Sequence, residues 1–278
     1  MYLEYQGLSD AGRIREINED NHWYIVQSAL DSEPVGVFIV CDGMGGHLGG
    51  ELASGVAIAA IKHELSDLFC AVDSSTTIVL SDSDIDAAVS GASATRRLPD
   101  SDLSDRLLTA IQRANEAILR LARMRPKEAG DAGTTLTMAL VQGSKALIAN
   151  IGDSRTYVVR DHQLNQITKD HSLVGGLLAQ GMIKEEEVYT HPQRNIIFRS
   201  LGQAEQVSPD LFQVDLVDGD VLFLCSDGLW EMVRDKQEIV RIVEESDNLK
   251  NACQKLVDAA NDAGGEDNIS VILVLYHQ

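Results

Sequence analysis

Acidic residues stand where apolar segments of the chain end or begin. Three apolar runs meet them in this way: residues 38–41 before Asp42-Gly43, residues 222–225 before Ser226-Asp227-Gly228, and residues 269–275 after Glu266-Asp267. A carboxylate at the end of a strand is held firmly, and a neighbouring glycine lets backbone carbonyls and solvent approach it closely. Several such carboxylates suit a hard cation that prefers oxygen ligands.

A single Asp-Gly pair usually marks a hairpin turn. That interpretation is weaker here, because Asp42 precedes a glycine cluster and a helical pattern, and Asp227 is followed by Leu229-Trp230 rather than by an alternating strand. Two further acidic segments, residues 15–20 and 150–155, also lie at element ends. Since no Cys or His has the spacing of zinc ligands, the pattern indicates Mg²⁺ or Mn²⁺.

Over nearly its whole length the chain resembles a bacterial member of the PP2C (PPM) family of metal-dependent protein serine/threonine phosphatases. Seven segments, in the order of the family, carry the resemblance: residues 15–20, 40–46, 132–135, 150–155, 168–172, 225–230 and 265–268. Each is weak alone, and together they are specific. The resemblance implies an α+β fold, a four-layer α-β-β-α sandwich in which helices flank two central, mostly antiparallel sheets.

The resemblance also implies a set of metal ligands. Asp42 and Asp227 would bridge or flank two central Mn²⁺ or Mg²⁺ ions, and Asp267 would complete one site. Asp153, together with Asp227, resembles a third and weaker site found in bacterial members. These positions follow from the matching motifs and not from spacing alone.

Four more residues take roles by the same resemblance. Glu19 or Asp20 would hold the second ion through waters, and Gly43 would offer its backbone carbonyl. Arg15 matches the arginine that binds the substrate phosphate, for which a planar bidentate donor is well suited. The alternative for Arg15 is an ordinary surface ion pair with a nearby acid.

The chemistry expected from these parts is direct hydrolysis of phosphoserine and phosphothreonine. Two divalent ions lower the pKa of a shared water, so that hydroxide attacks the phosphorus and no protein nucleophile is needed. Arg15, Asp42 and Asp227 are the expected catalytic residues. Phosphoproteins, including the substrates of a bacterial Ser/Thr kinase, are the implied partners. The alternative is a catalytically weak relative that binds phosphoproteins as a regulatory module.

One histidine of the site in many relatives is absent from this chain. Many eukaryotic relatives have a histidine, proposed as a general acid, where this chain has Met44, so that role cannot be transferred. His47 is not an aligned substitute. His171, in the segment Lys169-Asp170-His171-Ser172, is interpreted as a structural hydrogen-bonding residue rather than a catalytic one.

The elements that must position these residues follow from hydrophobic patterning. Eight segments favour strands: 23–27, 35–41, 134–141, 146–151, 156–160, 211–216, 221–225 and 269–276. Five favour helices: 51–69, 102–123, 173–180, 235–245 and 249–263. This order suits two packed sheets with helices outside. We expect one domain over residues 1–278, with a variable surface insertion at 70–104 and a flap at 173–201 beside the active site.

Composition excludes several other classes of protein. The 43 acidic and 23 basic residues give a formal charge of −20, which repels nucleic acids and acidic membrane surfaces. The four scattered cysteines are interpreted as reduced core residues, and neither Cys41 nor Cys225 is followed by the phosphate loop and arginine of a cysteine phosphatase. The N-terminus has no signal-peptide pattern and no apolar run is long enough for a membrane helix, which favours a cytoplasmic location. A monomer is also expected.

Overall fold

Two five-stranded antiparallel sheets form the centre of the molecule, which a computed structural model describes at residues 1–27, 33–45, 48–69 and 100–278. The first sheet has the order β1-β12-β11-β8-β9 and the second has the order β10-β7-β6-β3-β2. The strands are β1 (Tyr2–Asp10), β2 (Asn21–Gln27), β3 (Val35–Cys41), β4 (Gly43–Met44), β5 (Gly133–Thr134), β6 (Leu136–Gln142), β7 (Lys145–Ile151), β8 (Arg155–Arg160), β9 (Gln163–Gln166), β10 (Asp210–Asp215), β11 (Val221–Cys225) and β12 (Ile269–His277). The short strands β4 and β5 pair separately.

Helices lie outside both sheets. They are α1 (Gly49–Glu64), α2 (Asp100–Met124), α3 (Pro126–Ala129), α4 (Leu173–Ala179), α5 (Glu185–Val188), α6 (Asp227–Trp230), α7 (Lys236–Glu244) and α8 (Leu249–Asp262), with a 3₁₀ turn at Ser66–Leu68. No helix among the described ranges is long and apolar enough to cross a membrane.

Three layers of buried side chains hold the stack together. Phe38 and Ile148 of the second sheet pack against Leu224 and Ile272 of the first. On the outer faces, α1 and α2 cover the second sheet and α7 and α8 cover the first. The four-layer α-β-β-α sandwich expected from the sequence is confirmed.

The central strands are buried on both faces, which explains their sequence pattern. In β3 all residues from Val37 to Cys41 are fully buried, because one face contacts the other sheet and the opposite face contacts α1 and α2. Strands covered on both sides are continuous apolar runs rather than alternating ones. Each of these runs is therefore recognisable in the sequence, although periodicity alone does not assign its two faces.

Several elements of the fold are not among the sequence expectations, including the short elements β4, β9, α3, α5 and α6. Strand β1 is not among the expected strands, yet its nine residues pair with β12 from Tyr2–His277 to Asp10–Ile269. It is an edge strand in which only Leu3 and Gly7 are buried, and its apolar residues do not alternate regularly with polar ones. Residues 70–99 of the insertion expected at 70–104 lie outside the described residues. The last part of that range belongs to α2, which begins at Asp100.

Removing volume between the two sheets should destabilise the protein. Leu224 is fully buried in that layer, so Leu224→Ala leaves a cavity and is expected to cost about 2–5 kcal/mol of unfolding free energy. Leu108→Ala, at a residue of α2 that is 37% exposed, is the matched control and should cost less than about 1 kcal/mol. Urea unfolding measures both, and equal losses would contradict this description of the core.

Candidate active site

Strand register brings the acidic segments to one edge of the sandwich. Cys225, at the end of β11, lies opposite both Arg155 and Val271. Asp227 follows this strand, and the turns that carry Asp153 and Asp267 precede the two partner strands. In the other sheet Asn21 is paired with Cys41, which places Asp20 beside Asp42. Residues from opposite ends of the chain therefore meet because of hydrogen-bond pairing.

A cleft of about 400 Å³ opens at this edge. Its lining includes seven of the eight residues expected at the site: Arg15, Glu19, Asp42, Gly43, Asp153, Asp227 and Asp267. Met44, Gly45, Asn195, Ile196, Ile197 and Gln203 complete the lining. Asp20 does not line the cleft and is buried behind it, where it accepts a hydrogen bond from the Ser226 hydroxyl at 2.6 Å.

The backbone around Asp42 is fixed by two threonines. The carbonyl of Asp42 accepts bonds from the Thr134 hydroxyl at 2.8 Å and the Thr135 amide at 2.9 Å. The Asp42 amide donates to the Thr135 hydroxyl at 3.0 Å. The next residue must be glycine, because a Cβ on Gly43 would lie 2.2 Å from the carbonyl oxygen of Gly50. Gly43 has no side chain and therefore lines the cleft with its backbone.

Several carboxylates are buried close to one another, and each makes ionisation of its neighbours costlier. Burial raises the pKa of Asp42 well above its ordinary value, and the charge of Asp227 raises it further. Burial likewise raises the pKa of Asp227, with the charge of Asp153 adding to it. The pKa of Asp153 is raised to about 7 by burial and then by the charge of Asp170. Without positive charge nearby, this cluster resists full ionisation.

A network centred on Asn268 holds the segment that carries Glu19. The side-chain oxygen of Asn268 accepts the Glu19 amide at 2.8 Å, and its side-chain nitrogen donates to the carbonyls of Ala11 and Ile17 at 3.0 Å each. These bonds fix one wall of the cleft. Behind that wall, burial raises the pKa of Asp20 to about 7, an effect that the bond from Ser226 partly offsets.

Arg15 reaches across the cleft opening to an acid from the far end of the chain. Its guanidinium donates to the Asp267 carboxylate at 2.7 Å, and both side chains are partly exposed. The pair is therefore accessible to an incoming anion. The alternative for Arg15 is an ordinary ion pair with a nearby acid. The acid that it contacts is Asp267, which is itself a candidate metal ligand.

The polar atoms of the cleft fit a divalent cation with oxygen ligands. Buried oxygens without a hydrogen-bond partner occur on Glu19, Asp153 and Asp227 in the lining of the cleft and on Asp20 behind it. Carboxylate oxygens are ligands for Mg²⁺ or Mn²⁺. In the described part of the chain, no three acidic, histidine or cysteine side chains are arranged to hold an ion alone. Mg²⁺ usually keeps several waters and takes only one or two carboxylates, which matches this donor set.

The histidine expected to be structural has contacts of that kind. His171 is buried; its Nδ1 accepts the Gly152 amide at 3.2 Å, and its Nε2 lies 3.3 Å from the Asp210 carboxylate. Burial lowers its pKa. It supports the turn that carries Asp153 and does not line the cleft, whereas Met44 does. His47 lies outside the described residues.

Two supporting residues are not among the site residues expected from the sequence. Asn268 and Ser226 stand in the matched segments, directly beside Asp267 and Asp227. In the sequence, only their position next to a candidate metal ligand indicates a role. Their partners, Glu19 and Asp20, come from the other end of the chain and are brought close by strand pairing.

The stability of the metal-free protein should fall as pH rises from about 5 to about 8. Asp20 and Asp153 have folded-state pKa values raised to about 7, above the unfolded value of about 3.9. The folded state therefore binds more protons in this window, and the stability contributed by these groups is full below about pH 4 and lost as pH passes about 7. Urea midpoints in EDTA at about pH 5.5 and 7.5 measure the slope.

Asp153→Asn is the control for that slope. The variant lacks one raised pKa and one repelling charge, so its stability should decline less between the two pH values. Added Mn²⁺ should stabilise the wild type more at the higher pH than at the lower, because protons and cations compete for the same oxygens. Identical slopes for wild type and variant would contradict the charge description of the cleft.

Known proteins share this sequence pattern. Residues 16–260 match the family described as Protein phosphatase 2C. The serine/threonine phosphatase stp of Listeria monocytogenes is 37% identical over 274 residues, which cover 99% of this chain and 95% of that protein.

Solved structures share the fold. The serine/threonine phosphatase of S. agalactiae has 33% sequence identity and a TM-score of 0.79, with 100% of both chains covered. The catalytic domain of the serine/threonine protein phosphatase PstP, in complex with two manganese ions, has 31% identity and a TM-score of 0.76 over 99% of both chains. Because the family match and these similarities span most of the sequence, the chain belongs to the protein phosphatase 2C family.

Proposed function

We propose that the chain hydrolyses phosphoserine and phosphothreonine monoesters of proteins in the cleft lined by Asp42, Asp227 and Arg15. The observation that carries the proposal is the set of buried, unpartnered carboxylate oxygens beside an accessible arginine. Phosphoprotein substrates accord with the serine/threonine phosphatase activity of the family. The reaction transfers the phosphoryl group to water and releases the serine or threonine hydroxyl.

Asp42, Asp227, Asp267 and Glu19 are the proposed holders of two Mn²⁺ or Mg²⁺ ions, with Asp153 and Asp227 in a third, weaker site. The manganese in the similar PstP structure supports this choice of metal. When bound, the ions supply Lewis acidity, which lowers the pKa of water and neutralises charge on phosphoryl oxygens. The carboxylates would hold the positive charge of the ions at the base of the cleft, at the edge of the two sheets.

Asp20 and Gly43 have supporting parts in this proposal. Asp20 is held by Ser226 behind the cleft and does not line it, so it would contribute to an ion through water rather than directly. The backbone of Gly43 lines the cleft, and its carbonyl is a proposed further oxygen ligand. The strands that precede Asp42 and Asp227 are buried, so these ligands need little reorganisation.

Arg15 is the proposed phosphate-binding residue. Its fork of N–H donors matches two phosphoryl oxygens, which a lysine cannot contact in the same planar way. In the present arrangement it donates to Asp267. A phosphate bound to this guanidinium and a cation bound to Asp267 would together replace that ion pair.

Reversal of a bacterial Ser/Thr kinase is the physiological role we propose. Cytoplasmic location and a monomeric state remain predictions from the sequence. A regulatory module that binds phosphoproteins without turnover is the competing function, and it predicts binding of a phosphopeptide with no release of phosphate.

Asp227→Asn should abolish turnover while the protein stays folded. The change removes a carboxylate and its charge but almost no volume, so loss of several kcal/mol of transition-state stabilisation would lower the rate by about 10²–10³ or more. Phosphate release from a phosphothreonine peptide, with circular dichroism as the folding check, measures the effect. Asp215→Asn, at an exposed position of β10, is the matched control. A fully active Asp227→Asn enzyme would refute the assignment of this residue.

Arg15→Ala should act mainly on substrate binding. Loss of a bidentate, charge-assisted contact is expected to raise KM for the phosphopeptide by about tenfold or more, with a smaller fall in kcat. Arg15→Lys should recover only part of the affinity, because the point charge remains and the planar fork does not. Steady-state kinetics separate the two constants, and an unchanged KM in Arg15→Ala would mean that Arg15 does not bind the phosphate.

A further inference from the structure

The indole of Trp230 connects two candidate metal ligands that come from different parts of the chain. Trp230 is the last residue of the short helix α6, which begins at Asp227. Its Nε1–H donates to the backbone carbonyl of Asp153 at 3.0 Å, and both residues are buried. One hydrogen bond therefore ties the helix that carries Asp227 to the turn that carries Asp153.

Arg155 fixes the plane of that indole. Its guanidinium carbon lies 3.4 Å from the centroid of the Trp230 ring, close enough for a stacked cation–π contact. The fork of the same guanidinium donates to both oxygens of Asp170, with distances of 3.0 and 2.7 Å, and its remaining nitrogen donates to the Tyr157 hydroxyl at 3.1 Å. The face of the Arg155 guanidinium therefore stacks on Trp230 while its N–H groups donate to Asp170 and Tyr157.

The pair of Arg155 and Asp170 adds no net charge to the site. Their side chains are 9% and 5% exposed, so a bidentate pair is well formed and shielded from solvent. A buried pair of this kind rarely adds much stability over apolar packing, and fixed geometry is its better attested contribution. Here it fixes the geometry of Trp230, which stands in the same helix as Asp227.

We propose that Trp230 and Arg155 are positioning residues that set the separation between the Asp153 and Asp227 carboxylates. The inference rests on the proposed metal-dependent function. A tryptophan that only filled the core would need an acceptor of any kind for its N–H. This one bonds to the backbone of an acid whose unpartnered Oδ1, like that of Asp227, is buried at the cleft.

Like charge is the reason that such a tie is needed. The charge of Asp153 is the largest charge effect on the pKa of Asp227, so the two carboxylates repel each other when ionised. A turn free to move would let them separate and widen the space between their oxygens. Residues that orient metal ligands through hydrogen bonds typically change metal affinity by about 10–100-fold when they are replaced.

The test is Mn²⁺ binding by Trp230→Phe, followed by the loss of the electron paramagnetic resonance signal of free Mn²⁺. Phenylalanine keeps an aromatic ring but cannot donate to Asp153. At least one class of Mn²⁺ site should weaken by about 10–100-fold relative to wild type. The matched control is Trp23→Phe, because Trp23 is the only other tryptophan of the chain and lies on β2, packed against the opposite helical layer. Its Mn²⁺ affinities should stay within about twofold of wild type.

Unchanged Mn²⁺ binding in folded Trp230→Phe would overturn the inference. If that variant does not fold, Arg155→Lys replaces it, because lysine keeps the charge beside Asp170 and loses the plane that stacks on Trp230. Unfolding of both variants in the presence of Mn²⁺ would also overturn it, since the residues would then support the fold rather than the site. A wild-type protein that binds no Mn²⁺ would instead contradict the proposed function.

Discussion

Mutual repulsion of buried carboxylates is the constraint on which the rest of this structure depends. Asp42, Asp153 and Asp227 lie in one cleft, and burial together with neighbouring charge raises the pKa of each. Left to themselves, such groups would take up protons or move apart. The fold prevents the second outcome, because each acid is joined to a strand or turn that is anchored between packed layers. Divalent cations then offer a way to ionise the cluster without separating it.

The anchors are hydrogen bonds made outside the cleft. Two threonines bind the backbone of Asp42, and Asn268 binds the backbone that carries Glu19. Trp230 binds the carbonyl of Asp153. These contacts leave carboxylate oxygens of Glu19, Asp153 and Asp227 without partners, which is the arrangement that a cation site requires. The side chains that bind these backbones directly are all uncharged.

Some of this arrangement can be predicted from the sequence, and some cannot. The acids after β3 and β11 are recognisable because a buried strand and a following glycine are local features. Their convergence depends on register, such as the pairing of Cys225 with both Arg155 and Val271, which no local pattern encodes. Strand β1 escapes recognition because an edge strand with few buried residues lacks alternation. The burial of Trp230 is expected of a core residue, but its N–H acceptor lies 77 residues away in the chain.

The most direct test of cation dependence is hydrolysis of a phosphothreonine peptide by EDTA-stripped protein before and after addition of millimolar Mn²⁺ or Mg²⁺. If the carboxylate cleft works through bound cations, the stripped, folded protein should release almost no phosphate, and turnover should return when either ion is added. Turnover that is equal with and without metal would contradict a cation-dependent carboxylate cleft. Peptide binding without turnover in the presence of metal would favour a regulatory module.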